Sequence, residues 1–461
     1  MADRGNFSSR IGFIAAAAGS AVGLGNIWRF PYEAGENGGA AFLLIYLICM
    51  VLIGFPVMAG EIAIGRNTKL NAFGAYKKLG GSKWGLLGYW GILSAVMFLS
   101  VYNVVAGWAF AYFIQMINGD LMSTSNFVEH FGKQISEVSD LFFYSFGFMV
   151  LTAIIVSKGI KKGIESASKI LMPTLFLLLI GLIIYSLTLE GAMEGVRYYL
   201  VPDLSKITIE TVYNALGQAF FSLSLGMAAL VTYGSYISKR ENIITSAAYV
   251  TIADTSVAFL AGLLIFPLVF SQGLSPSEGP GLVFVVLPSI FASLGGGIGT
   301  IVGALFFLLL CFAALTSTIS LLEIPVTYMV DEKGYSRKKA VLIFSSLIFV
   351  VGIPSLLSQG AVDFFSNFAH YEGVGKTVLD VVFDIFSDVG LPLGGFLMSI
   401  FIATKWKLHN FHKELESGNP SYKGSFMQKY LSFAISYFAP VFLGLMFIIT
   451  VLQKFFGVSI L

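Results

Sequence analysis

Apolar residues run along this chain in long stretches separated by short polar segments, and eleven stretches are long enough to cross a bilayer. A hydrocarbon core needs about 20 apolar residues rising about 1.5 Å each. The stretches lie roughly at 11–34, 40–66, 87–117, 141–158, 166–189, 210–237, 243–270, 298–330, 340–358, 376–403 and 431–455. The third and eighth exceed the requirement, so they are expected to tilt or to project from the membrane. The pattern predicts an all-α integral membrane protein, with residues 1–461 forming one transmembrane domain.

Composition narrows the class. Hydrophobic residues make up 56% of the 461 positions and charged residues 12%, against roughly 25% charged in soluble domains. That is too little charge to clothe the two or three soluble domains this length would otherwise suggest. Cys49 and Cys311 lie inside apolar runs and offer neither a disulfide framework nor metal-ligand spacing. His409 and His412 have no acidic or thiol neighbour suited to a metal. Ala15 to Ala18 resembles a signal-peptide cleavage region, but the apolar stretch continues through Trp28, so it reads as a retained first helix.

The basic residues fix an expected orientation. With the N-terminus inside, Arg4, Arg10, Arg66, Lys69, Lys158, Lys161, Lys162, Lys239, Arg240, Lys338, Lys339, Lys405 and Lys407 fall on the inner side. The outer loops keep Lys133, Arg197, Lys206 and little else. The positive-inside bias then places the N-terminus in the cytoplasm of a multi-pass cell-membrane protein, and an odd span count places the C-terminus outside.

Two spans break the rules of membrane helices. The first carries Gly19, Ser20, Gly23, Gly25 and Asn26 at mid-membrane depth, and the sixth carries Ser222, Ser224 and Gly226. Each glycine weakens a helix by roughly 1 kcal/mol, and small polar residues compete for its backbone hydrogen bonds. Unwound backbone survives at this depth only where it lines a protein-enclosed cavity. Close packing through small residues would explain either run alone. Paired, they open two sets of five spans (one to five and six to ten), the mark of a carrier built from inverted repeats, with an eleventh helix appended.

The run Gly19-Ser-Ala-Val-Gly-Leu-Gly-Asn-Ile-Trp-Arg-Phe-Pro-Tyr32 resembles the first-helix signature of the neurotransmitter:sodium symporters, and Glu36-Asn-Gly-Gly-Ala-Ala-Phe42 continues it. Gly217 to Gly226 and Ala314-Leu-Thr-Ser317 extend the likeness, which covers about residues 4 to 455. It is similar above all to the bacterial amino-acid branch with eleven transmembrane helices. The resemblance implies two sodium sites. The first would use Ala21, Asn26, Ser222 and Asp254; the second Gly19, Val22, Ala313, Thr316 and Ser317. Asp254 also stands out by itself, because a carboxylate within an apolar span costs about 2.5–3.5 kcal/mol on insertion scales. Many relatives carry Asn there, and Ala258 stands where some chloride-independent relatives carry Glu. Asp254 is therefore expected to supply the charge that chloride supplies elsewhere.

The same resemblance implies a substrate site formed by Ser20, Ala21, Gly23, Leu24, Gly25, Phe98, Tyr102, Phe221, Ser222, Ser224, Met227, Ser317 and Leu321. Monoamine carriers have an Asp at the position of Gly23. Its absence here points to a substrate bringing its own carboxylate, an amino acid with a hydrophobic or aromatic side chain. Helix N-termini favour that anion. On the outer side Arg29 is expected to face Asp384, with Asp380 at i−4 as the alternative; on the inner side Arg4 is expected to pair with Asp331, covered by Phe7 and braced by Tyr236. No catalytic constellation is present in the sequence, and no nucleic-acid partner is expected. A transporter-like sensor would keep the same site and differ only in failing to concentrate its ligand.

Overall fold

A computed structural model describes residues 5–276 and 281–458. Arg4 lies outside the described residues. Among them, nine helices are long and apolar enough to cross a membrane: Ala40–Thr68, Ser82–Asn118, Val138–Ser157, Ile160–Ser186, Ile243–Ser271, Gly297–Lys333, Arg337–Leu357, Val378–Glu416 and Phe426–Phe456. They correspond in order to the expected second to fifth and seventh to eleventh spans. The first is a bent pair, Arg10–Ala21 and Gly25–Glu36, meeting at 52°. The sixth consists of two short helices, Ile209–Ser222 and Ala229–Gly234. Neither approaches the roughly 20 residues of a full crossing. The third and eighth reach 37 residues each, about 55 Å at 1.5 Å per residue.

Local chemistry sets many helix starts. Ser9 accepts from the Gly12 amide at 3.0 Å; Asn242 accepts from Thr245 at 3.1 Å; Thr208 and Thr377 each form a reciprocal capping box. Each cap satisfies amides that the first helical turn leaves unpaired. Glycines in the left-handed region follow the third and eighth helices, at Gly119 and Gly334.

Three features depart from expectation. A two-stranded hairpin, Ala369–Tyr371 with Val374–Lys376, interrupts the all-α pattern. Its turn residues Glu372 and Gly373 both take positive φ, which suits the twist of a tight hairpin. The short helices Phe127–Ser136, Ala192–Leu200 and Leu282–Ser293 occupy loops. The tenth helix passes its expected end at 403, turns at Lys407 (φ 71°) and continues as Leu408–Glu416. That polar stretch, between the expected tenth and eleventh spans, is docked. Glu414 accepts from Arg66 Nε at 2.7 Å, Asn67 Nδ2 at 2.7 Å and Lys239 Nζ at 2.6 Å. The contact ties the tenth helix to the second helix and to the segment after the sixth.

The two interrupted helices face each other at the centre. Ser224 Oγ donates to the Ser20 carbonyl at 3.1 Å, and Gln218 Nε2 to the Gly25 carbonyl at 2.7 Å. Everything proposed for function hangs on this junction.

Candidate functional site

The first helix stops at Ala21; Val22 is extended, and regular structure resumes at Gly25. Neighbouring side chains take up the freed backbone groups, as buried peptides require. The Gly23 amide donates to Asn26 Oδ1 at 2.9 Å and the Leu24 amide to the Tyr102 hydroxyl at 2.9 Å. The Val22 carbonyl accepts from Thr316 Oγ1 at 3.3 Å and from Ser317 Oγ at 3.2 Å.

Three of the residues expected at a first ion site form one buried cluster. Asn26 Nδ2 lies 2.9 Å from Ser222 Oγ and 2.8 Å from Asp254 Oδ1, while Ser222 Oγ lies 3.0 and 2.8 Å from the two carboxylate oxygens. Asn26, Ser222 and Asp254 are buried. The fourth, Ala21, is the last residue of the first helical segment. As placed, Asn26 turns its nitrogen toward the acid and its oxygen toward Gly23, so the buried carboxylate is met by a donor. The set is otherwise all oxygen with one formal negative charge, which fits a hard monovalent cation.

The residues expected at a second site converge on the Val22 carbonyl. Thr316 Oγ1 also reaches the Ala313 carbonyl at 3.0 Å. Gly19 backs onto Thr316, where a Cβ would sit 3.2 Å from the threonine Cβ. This set is neutral, made of carbonyls and hydroxyls. It too fits a hard cation, with less electrostatic attraction than the first.

Next to both clusters, Gly23 sits in a narrow place. A Cβ built on it would lie 2.5 Å from Ser317 Oγ and 2.7 Å from the Tyr102 hydroxyl. Phe98 packs edge-on against Phe221 at 5.8 Å and lies 5.5 Å from Tyr102. Met227 lies within the sixth-helix break, and Leu321 follows Ser317 by one turn; both are fully buried. Sequence reasoning missed Phe383, whose ring lies 5.9 Å from Phe98 and 5.7 Å from Phe221. An apolar cavity of about 70 Å³ adjoins these rings, lined by Leu24, Trp28, Tyr102, Trp108, Phe221 and Phe383 among others.

The ion pair at the Arg29 end corrects the expectation. Arg29 meets Asp388 at 3.7 Å and Glu33 at 3.3 Å, and its guanidinium covers the Phe221 ring at 4.6 Å. Asp384 instead takes Lys454 and the Tyr371 hydroxyl (2.7 Å), while Asp380 serves the Thr377 capping box. Asp384 is buried against Lys454 and the Tyr371 hydroxyl, and Asp388, one turn further along the same face, is left to meet Arg29. Lys454 also holds Asp388, at 2.9 Å.

At the opposite end, Arg4 lies outside the described residues, so its expected pairing with Asp331 has no geometry here. Asp331 accepts from the Asn71 amide at 3.0 Å and side chain at 3.1 Å. Tyr236 reaches Glu323 at 2.6 Å and Thr327 at 2.7 Å. Phe7 packs edge-on against Tyr233 and Tyr236 at 5.8 and 6.2 Å.

Two further residues escaped sequence reasoning. Tyr46 places its hydroxyl 3.4 Å from Asp254 Oδ2. Glu61, buried in the second helix, accepts from the Gly226 amide at 2.8 Å. Glu61 was findable by the rule that marked Asp254, a lone carboxylate in an apolar span.

Comparison with known proteins gives this geometry its relatives. The Sodium:neurotransmitter symporter family matches residues 4–126 and 122–457. An uncharacterized sodium-dependent transporter of Bacillus subtilis, YhdH, is 43% identical over 91% of this chain and 92% of its own length. The sodium-dependent serotonin transporter of Drosophila melanogaster is 30% identical over 82% of this chain and 68% of its own. The crystal structure of MhsT in complex with L-phenylalanine superposes with a TM-score of 0.88 at 44% identity, covering 96% of this chain and 99% of that one. These relatives are transporters, not enzymes. The chain belongs to the sodium:neurotransmitter symporter family, as a multi-pass, sodium-dependent membrane transporter of its bacterial branch.

Proposed function

We propose that the protein takes up a hydrophobic or aromatic L-amino acid together with sodium, by alternating access and without chloride. The observation that carries this reading is Gly23 held between the Ser317 and Tyr102 hydroxyls. Glycine brings no side chain to this narrow position, so it offers no carboxylate to an amine. The substrate's own carboxylate has the Tyr102 hydroxyl and the amides of the first-helix break beside it. The rings of Phe98, Phe221 and Phe383 suit an apolar side chain, and the bound L-phenylalanine of MhsT supports that choice by similarity.

Two sodium sites follow from the same break. Ala21, Asn26, Ser222 and Asp254 hold the first ion; Gly19, Val22, Ala313, Thr316 and Ser317 hold the second. Asn26 belongs to the first cluster and also holds the Gly23 amide, so ordering by sodium orders the substrate's backbone donors. Each ligand then raises the affinity of the other. Asp254 brings a fixed negative charge to the first site, which is the basis for independence from chloride. The N-terminus faces the cytoplasm, Arg29 with Asp388 forms the outer gate, and Arg4 with Asp331 the inner one. Span two packs with spans one, six and seven, and these rock against the remainder.

A binding screen of the twenty amino acids on purified protein, with and without Na⁺, tests the reading. Leu, Met, Phe or Trp should bind only with Na⁺ and accumulate in proteoliposomes down a sodium gradient. Competition by dopamine but not by leucine or tryptophan would overturn the substrate class. Uptake that stops when chloride is replaced by gluconate would overturn the role given to Asp254.

A further inference from the structure

A groove on the lipid-facing surface, remote from the junction of broken helices, has a chemistry of its own. Its volume is about 840 Å³, and it runs between the fourth and ninth helices, which are antiparallel. Phe142 and Phe146 meet Phe349 at one end, with ring separations of 5.2 and 5.5 Å, while Ser157 and Lys338 close the other. Each wall is about 22 Å long at 1.5 Å per residue, more than the roughly 15 Å of one hydrocarbon leaflet. The floor is formed by Met149, Val341 and Ser345, all buried, and the rim by exposed Phe146, Leu342 and Val350.

The polar end is mainly basic. Arg337 is occupied: it pairs with Glu323 and donates from Nε to the Val156 carbonyl at 2.8 Å, joining the two helices beneath the groove. The next residue, Lys338, is exposed and has no acidic partner among the described residues. Lys158, Lys161 and Lys162 line the adjoining cavity, which Asp331 also borders while accepting from Asn71, and none of the three lysines forms an ion pair among the described residues. An apolar trough leading to Lys338 and a lysine-rich membrane face matches an acyl chain joined to an anionic phosphate. A second copy of the chain fits poorly. A two-fold contact brings the same patch from both subunits to the same depth, setting lysines against lysines.

We propose that this groove binds one anionic phospholipid, with its phosphate at Lys338 and an acyl chain along Met149, Ala153 and Phe349. Neither the ion clusters nor the substrate reading bears on it.

Native mass spectrometry of the full chain in detergent, with added phosphatidylglycerol or phosphatidylcholine of identical acyl chains, reads retention directly. About 1 kcal/mol per lysine near the surface corresponds to roughly five-fold retention of phosphatidylglycerol over phosphatidylcholine from Lys338 alone. Lys338→Gln should remove that preference and Lys338→Arg should keep it. Ala153→Phe, which fills the trough, should lower retention of both lipids, whereas Ile184→Phe on the exposed face of the fifth helix should change neither. Size-exclusion profiles confirm that each variant is folded. Equal retention of the two lipids by the unaltered chain overturns the proposal. So does a preference untouched by Lys338→Gln, or a dimer through this face, seen as a Ser346→Cys cross-link that survives added lipid.

Discussion

The two interrupted helices hold the same place in their five-helix sets, yet their loose backbone groups are satisfied in opposite ways. At the first break, neutral partners arrive from the third and eighth helices: the Tyr102 hydroxyl on the Leu24 amide, and Thr316 and Ser317 on the Val22 carbonyl. Asn26 of the first helix itself serves the Gly23 amide. At the sixth-helix break, Ser224, Gly226 and Ala228 take positive φ, and a carboxylate, Glu61, holds the Gly226 amide. A hydroxyl can rotate from donating to a carbonyl to presenting its own oxygen, so its contact is exchangeable. A carboxyl oxygen accepting from a buried amide has no such alternative, because losing it strands the amide. The first break is therefore built to trade partners, and the second to keep its shape.

Placing one methyl group in each break tests this most severely. Gly226→Ala forces a side chain into φ 85°, where its Cβ would overlap the Leu391 carbonyl. Backbone cannot rotate away, so the cost should reach about 3 kcal/mol or more, read as a lost or much lower melting temperature. Gly23→Ala meets only the ends of Ser317 and Tyr102, at 2.5 and 2.7 Å, and both can turn aside. It should fold within about 1 kcal/mol of the unaltered chain while weakening amino-acid binding about ten-fold, a loss near 1.4 kcal/mol. Equal thermal losses from the two substitutions would erase the distinction.

Smaller changes sharpen it. Glu61→Ala leaves the Gly226 amide without its acceptor and should cost about 1–3 kcal/mol, whereas Glu61→Gln keeps an acceptor and should cost less than about 1 kcal/mol. A melting series on the two variants separates them. Thr316→Val keeps the shape and deletes one exchangeable hydroxyl. Its melting temperature without Na⁺ should hardly move, while the Na⁺ concentration for half-maximal amino-acid binding rises several-fold. A large thermal loss without Na⁺ would mean that the hydroxyl is a structural strut.

Much of this was legible in the sequence because it is written in violations of local rules. Gly19, Gly23 and Gly25 in an apolar run announce a break, and Asp254 announces a compensated charge. What escaped depends on geometry that periodicity cannot carry. Asp384 and Asp388 lie four positions apart on one face, so counting by 3.6 cannot choose between them; Lys454 and the Tyr371 hydroxyl hold Asp384, and Asp388 is left to Arg29. Arg66 and Glu414 are 348 positions apart, and no local pattern brings them together. The break in the sixth helix is expected from Ser222, Ser224 and Gly226, but the Glu61 contact that holds the Gly226 amide there is tertiary and has no local signature around the break.

Lys454 gives the Arg29–Asp388 ion pair an unusual economy. When an ordinary salt bridge parts, it strands an anion that must find water or a proton, and that penalty adds to the barrier for separation. Asp388 lies 2.9 Å from Lys454 and 3.7 Å from Arg29. If Arg29 swings away, the carboxylate keeps a cation, and Arg29 keeps Glu33 at 3.3 Å. Parting then leaves each charge beside a partner of opposite sign, Asp388 sharing Lys454 with Asp384. The eleventh helix, which belongs to neither five-helix set, thus lowers the electrostatic resistance of a contact formed between the other two.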